Sequence, residues 1–97
     1  MKVEFADKAT EDIYLDKKSK IALKALPVGL HGKARVKLQQ IFLAESLVDL
    51  KEPPGNRLEK MKGTLSESYS IRINDQFRIV FRFLGHSFTH VQIVDYH

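Results

Sequence analysis

The 97-residue sequence contains no cysteine. That excludes a disulfide framework, thiolate metal sites and cysteine nucleophiles. It also fits a reducing cytosol as the expected location. Long apolar runs are missing as well. The longest aliphatic or aromatic stretch is Ile41-Phe42-Leu43-Ala44, against the roughly 20 residues needed for a membrane span. The opening Met-Lys-Val-Glu-Phe offers no apolar core for a signal peptide, so a cytoplasmic protein with no membrane partner is expected. Of the four histidines, His86 and His90 stand at HxxxH spacing, but His86 lies in a turn and not on a helix, and no HExxH occurs, so no metal site is expected. No Gly-rich phosphate loop occurs, and Ser66, Ser68 and Ser70 lack a nucleophile-elbow context. No cofactor is expected. Internal repeats and low-complexity tracts are absent.

The length corresponds to one domain over residues 1–97. Hydrophobic residues make up 43% and charged residues 29%, an ordinary balance for a folded chain and not that of a disordered one. Charge is distributed unevenly. Residues 1–16 hold two Lys/Arg against five acids, residues 17–62 hold eleven against four, and residues 63–97 hold three against three. The basic middle fits either a polyanionic partner such as RNA, DNA or the ribosome, or a solvated cationic surface.

Apolar periodicity divides the chain in two. Val3 and Phe5 alternate with charged neighbours, as in a short edge strand. Asp7 is a plausible cap for a short helix near residues 7–15, and Ile21, Ala22, Ala25 and Leu26 repeat one helical face. The clearest helix spans about 30–45, with Leu30, Ala34, Leu38, Ile41 and Phe42 as an apolar stripe and Lys33, Arg35, Lys37 and Gln40 mostly off it. Leu47, Val48 and Leu50 add a turn, and the prolines of Glu52-Pro53-Pro54-Gly55-Asn56 end the helical half.

Beyond this loop the period falls to two. Tyr69, Ile71 and Ile73 alternate with Ser70 and Arg72, and Asn74-Asp75 marks a turn. Phe77, Ile79, Phe81 and Phe83 form one face of the next strand, and Phe88 to Val94 form a last one after Gly85. The expected fold is therefore α+β, with N-terminal helices packed on one face of a small antiparallel sheet. Burying each large residue of the central strand contributes about 1.5–3 kcal/mol.

Arg72, Arg78 and Arg82 share one parity, so all three leave the sheet on the face opposite the phenylalanines. Arg78 and Arg82 are about 13 Å apart at roughly 6.6 Å per two residues. Guanidinium groups there suit phosphate recognition through their planar donor forks. The competing reading is ordinary solvent-facing arginines paired with Glu67 or Asp75. Arg57 and Lys62 add cations near the sheet's start, and Asp95-Tyr96-His97 continues the last strand with a proton-exchanging imidazole. On an RNA-binding face these residue types suit 2′-OH attack on the adjacent phosphate, with general acid–base groups and cations but no metal.

Four segments together resemble the HigB-type toxins of the RelE superfamily. They are Pro53-Pro54-Gly55-Asn56-Arg57-Leu58-Glu59, Met61-Lys62-Gly63, the stretch from Tyr69 to Phe81, and Val94-Asp95-Tyr96-His97. The match is close over roughly residues 53–97 and concerns only layout in the helical half. The resemblance implies a fold like that of RelE and the small microbial RNases, in a toxin of a type II toxin–antitoxin pair. It implies cleavage of messenger RNA at the ribosome and silencing by a HigA-like helix-turn-helix antitoxin, with operator DNA contacted only through that antitoxin. Carried over by motif, Lys62 and Arg78 contact phosphate, with Arg57, Arg72 and Arg82 as further phosphate-binding candidates. Asp95, Tyr96 and His97 form the catalytic end, with His97 exchanging protons and Tyr96 orienting or stacking a base. One position departs: some family members place His just before the Lys-Gly step, where this chain has Glu59. That keeps a second reading open, a non-catalytic module that inhibits translation by occupying RNA or ribosome. A third reading is a protein-interaction domain docking a partner through its acidic start and basic middle.

Overall fold

The computed structural model describes residues 3–61 and 68–95. Lys62, Tyr96 and His97 lie outside the described residues, as does Glu67. Strand β1 (Val3–Phe5) leads into helix α1 (Lys8–Tyr14), which starts where the Asp7 carboxylate accepts from the Thr10 amide at 2.8 Å. Helix α2 (Lys20–Ala25) is capped by Ser19, whose hydroxyl accepts from the Ala22 amide and donates to Asp12 Oδ2 at 2.7 Å. The α2 stop follows from Pro27, whose ring pushes the preceding Leu26 into extended backbone. A 3-10 turn over Val28–Leu30 introduces α3 (His31–Leu43), and α4 (Leu47–Lys51) follows.

Among the described residues, the strands form one five-stranded sheet in the order β1-β5-β4-β3-β2. Its members after the helices are β2 (Glu59–Lys60), β3 (Ser68–Arg72), β4 (Phe77–Leu84) and β5 (Ser87–Asp95). The expected meander is β3-β4-β5, antiparallel throughout. Two pairings extend it beyond the sequence reading. Strand β1 runs parallel to β5, matching Val3 with Phe88 and Phe5 with Val91, and the two-residue β2 pairs with β3. The β3–β4 turn is closed by Asn74, whose Oδ1 accepts from the Gln76 and Phe77 amides.

The helices and one sheet face share a single core. Ile13, Leu26, Ala34, Leu38, Ile41 and Leu50 cluster with Ile71, Ile79, Phe81 and Phe88. Alternation in β3 and β4 sends Ser70, Arg72, Arg78 and Arg82 to the opposite face. The α+β architecture is as the periodicity indicates. No helix among the described residues is long and apolar enough to cross a membrane.

Two side chains depart from the helical reading. Lys37, placed off the apolar stripe, is only 8% exposed and donates through Nζ to the buried Asn56 Oδ1. Phe42, placed on the stripe, instead lies at the rim, stacked on Tyr14 at 4.6 Å and beside Phe5 at 5.9 Å. His31, the first residue of α3, is buried, with Nε2 at 2.8 Å from the Leu26 carbonyl oxygen. These positions depend on what α1, β1 and the Pro-Pro loop bring alongside α3, which a helical repeat does not encode.

Candidate functional site

The face opposite the helices carries the three strand arginines. Arg72 and Arg78 are register partners across β3 and β4, and Arg82 pairs with Ser68 on one side and Thr89 on the other. Paired residues on adjacent antiparallel strands have Cα atoms about 4.5–5.5 Å apart. Two guanidinium groups placed so closely repel each other, so each needs a fixed environment. Arg72 has an ion pair with the Asp75 carboxylate. With Asp75 97% exposed, this pair contributes little stability and is easily exchanged for another anion.

Arg78 is held differently and corrects an expectation: it is not an exposed strand residue but only 8% exposed. Its Nε donates to Ser70 Oγ at 2.9 Å, and Nη2 donates to the main-chain carbonyl of Arg57. The Glu59 carboxylate lies 3.7 Å from Nη1. Ser70, itself fully buried, is two residues from Arg72 on β3. The guanidinium plane is thus fixed from two directions, by the sheet and by the loop before β2. A rigid cation of this kind recognises a planar or tetrahedral oxyanion with little reorganisation.

Arg57 enters this arrangement through its backbone. Its side chain is exposed, while its φ of 46° puts the residue in the left-handed region that side chains other than glycine adopt rarely. Arg82 sits on the same sheet face and is half-buried. Asp95 is placed otherwise. It pairs with Phe77 at the end of β5, so in register it shares the side of Phe77 and not that of Arg78. It is exposed, and its Oδ2 accepts from Gln76 Nε2 at 3.0 Å.

The structure therefore brings Arg72, Arg78 and Arg82 onto one face and aims the Arg57 carbonyl at Arg78, while Asp95 stands at the sheet's end on the other side. Sequence reasoning weighed Ser70 only as an unsuitable nucleophile and an alternating strand residue, not as a partner of Arg78. It passed over Asn56 and Lys37 entirely as site neighbours. Glu59 was singled out as a departure from a pattern and not as a partner of Arg78. Lys37 responds to this cationic surrounding: burial, then the nearby charges of Lys33 and Arg72, lowers its ammonium below the usual lysine range.

Known proteins share the fold and the sequence pattern of this chain. A family model described as the RelE-like toxin of type II toxin–antitoxin system HigB matches residues 3–97. The chain is 36% identical over 84 residues to Toxin HigB-1 of Vibrio cholerae serotype O1, covering 87% of this chain and 85% of that one. Among solved structures it resembles the heterotetrameric YoeB–YefM toxin–antitoxin complex from Staphylococcus aureus, with a TM-score of 0.62 at 23% identity, over 100% of this chain and 97% of that one. It also resembles the YoeB/ParE toxin from Agrobacterium tumefaciens, with a TM-score of 0.60 at 17% identity and full coverage of both chains. At those identities the two structures attest the fold. The family match and the HigB-1 identity attest more: the chain belongs to the HigB-type, RelE-like toxins of type II toxin–antitoxin systems.

Proposed function

We propose that this toxin is a ribosome-dependent messenger-RNA endoribonuclease that works by 2′-OH attack on the adjacent phosphate. The observation that carries the reading is the arginine face, with the Arg78 guanidinium held by Ser70 and Arg57 on a sheet surface away from the helices. Arg78 and Lys62 grip the scissile phosphate, and Arg57, Arg72 and Arg82 bind the flanking phosphates. Charge develops on the non-bridging oxygens as the 2′-oxygen attacks, and a preorganised guanidinium stabilises that charge more than it stabilises the ground state. His97 exchanges the proton, Tyr96 orients or stacks a base, and Asp95 supports that end of the chain. The products are a 2′,3′-cyclic phosphate and a 5′-hydroxyl. The reaction requires no metal and no cofactor, and DNA is no substrate because it lacks the 2′-OH.

The partner is a HigA-like helix-turn-helix antitoxin that silences the toxin in the cytoplasm, with operator DNA reached only through it. The resemblance to a toxin solved in complex with its antitoxin supports a protein partner of this kind. Residues 1–97 act as one toxin domain. Inducible expression with mapping of mRNA 5′ ends tests the reading. New ends within translated codons, and 2′,3′-cyclic phosphate termini from purified toxin and programmed ribosomes, are expected. Intact messages and normal growth in the presence of folded protein refute it.

The Glu59 carboxylate beside Arg78 favours one second reading, a toxin that inhibits translation by occupancy. A negative group there weakens phosphate binding and offsets part of the charge of Arg78. Translation arrest without any cyclic-phosphate ends would establish that reading instead.

A further inference from the structure

Asn56 is fully buried although it sits in the Pro-Pro-Gly-Asn loop between helices and sheet. Loop residues on a surface ordinarily keep their polar side chains in water. Here both donors of the carboxamide and its oxygen are engaged from within the fold. Oδ1 accepts from Lys37 Nζ on α3, and Nδ2 donates to Gln40 Oε1 at 2.9 Å and to the Leu50 carbonyl at 3.0 Å. Its main-chain carbonyl accepts from the Arg72 amide on β3 at 2.6 Å. One residue thereby ties α3, α4 and β3 together.

The next residue is Arg57, with its left-handed backbone. A non-glycine residue persists in that region where its surroundings over-determine it, and the clamped Asn56 is that surrounding. The consequence is the direction of the Arg57 carbonyl, which receives Nη2 of Arg78. The guanidinium is planar and its donors are fixed relative to one another. Its Nε end is set by Ser70 on the sheet, and its other end is set by the loop. We infer that Asn56 is a positioning residue for Arg78, acting through the Arg57 carbonyl to fix the plane of the guanidinium on the arginine face. Its effect on cleavage rests on the ribonuclease reading above, whereas its effect on Arg78 does not.

The experiment uses the full chain with Asn56→Ala. Ile13→Val serves as a control that loosens the core on α1 away from the loop. Two readouts separate positioning from general destabilisation. The first is the Arg78 Nε–H resonance by NMR, assigned with Arg78→Lys. It is expected to shift and its hydrogen exchange to quicken in Asn56→Ala, and to stay in place in Ile13→Val. The second is cleavage under conditions where each variant is folded. Asn56→Ala is expected to lower kcat by about 10–100-fold with KM little changed, since a misplacement of about 1 Å costs on that order. If Asn56→Ala fails to fold, Asn56→Asp, which keeps an acceptor for Lys37 and loses both donors, is read by the same criteria. An Arg78 resonance identical to wild type overturns the inference. So does a kcat loss no greater than that of Ile13→Val. If wild-type toxin cleaves nothing, the ribonuclease reading falls and the resonance alone decides the role of Asn56.

Discussion

Replacing Arg78 by methionine isolates what its charged fork contributes to stability. Methionine keeps an unbranched stem that can fill the same slot and removes every donor. The hydrogen bonds from the charged group to Ser70 Oγ and to the Arg57 carbonyl are lost. Each such bond contributes about 1.5–3 kcal/mol net. The Ser70 hydroxyl is fully buried and loses an acceptor role it cannot easily replace with water. One term works in the other direction. Repulsion between paired cations at Arg72 and Arg78 is relieved, by about 0.2–1 kcal/mol. The Glu59 contact, at 3.7 Å from a half-exposed carboxylate, is lost as well and adds about 0–1 kcal/mol. The balance is a loss of about 2–7 kcal/mol. With a urea slope of about 1–3 kcal/mol/M for a small protein, the unfolding midpoint falls by at least about 0.7 M at unchanged slope. Arg78→Lys, which retains the charge but cannot reach both acceptors, falls between wild type and Arg78→Met. The assay is equilibrium urea unfolding followed by circular dichroism. A midpoint within about 0.3 M of wild type for Arg78→Met would show that the guanidinium is a dispensable surface group, and the account of the site would be wrong.

Further expectations concern other parts of the molecule. Phe81→Ala empties the centre of the core, where Phe81 meets Phe88 edge-on at 5.5 Å, and should cost about 3–5 kcal/mol; thermal unfolding measures it. Arg72→Ala should leave stability within about 0.5 kcal/mol, because its ion pair with Asp75 is exposed, yet it should reduce the salt slope of RNA binding by about one. The Asp12 carboxyl is lowered from the usual carboxylate range, first by the Ser19 hydroxyl and then by Lys8. Its contribution is therefore complete above the unfolded value of 3.8 and is lost as pH falls through the lower folded value. Acid titration of stability should be less steep for Asp12→Asn below about pH 4, and equal steepness would contradict that assignment. Ser19→Ala removes the α2 cap and the Asp12 partner together and should cost about 0.5–2 kcal/mol.

Much of this protein was legible in its residue order because the relevant information is local. Steps of three and four placed α3, steps of two placed β3 and β4, and Asn74-Asp75 marked the turn between them. Parity alone put Arg72, Arg78 and Arg82 on one face, since side-chain alternation is a property of extended backbone and needs no distant partner. The Pro-Pro-Gly-Asn and strand motifs carried the resemblance to the HigB-type toxins.

Other features required the chain to be folded. The parallel pairing of β1 with β5 joins residues more than 80 positions apart, and no local pattern encodes which strand an edge will meet. Lys37 reads as one more solvated lysine until the loop brings Asn56 against it. Arg78 reads as exposed, and its burial comes from the Arg57 carbonyl and Ser70 arriving from two different segments. Asp95 reads as part of the same end as its neighbours, but the register with Phe77 turns it toward the other side of the sheet. Composition and periodicity thus determined the elements and the face that carries the charge. Tertiary structure decided which of those charges is fixed, because a guanidinium becomes rigid only when acceptors far away in sequence converge on it.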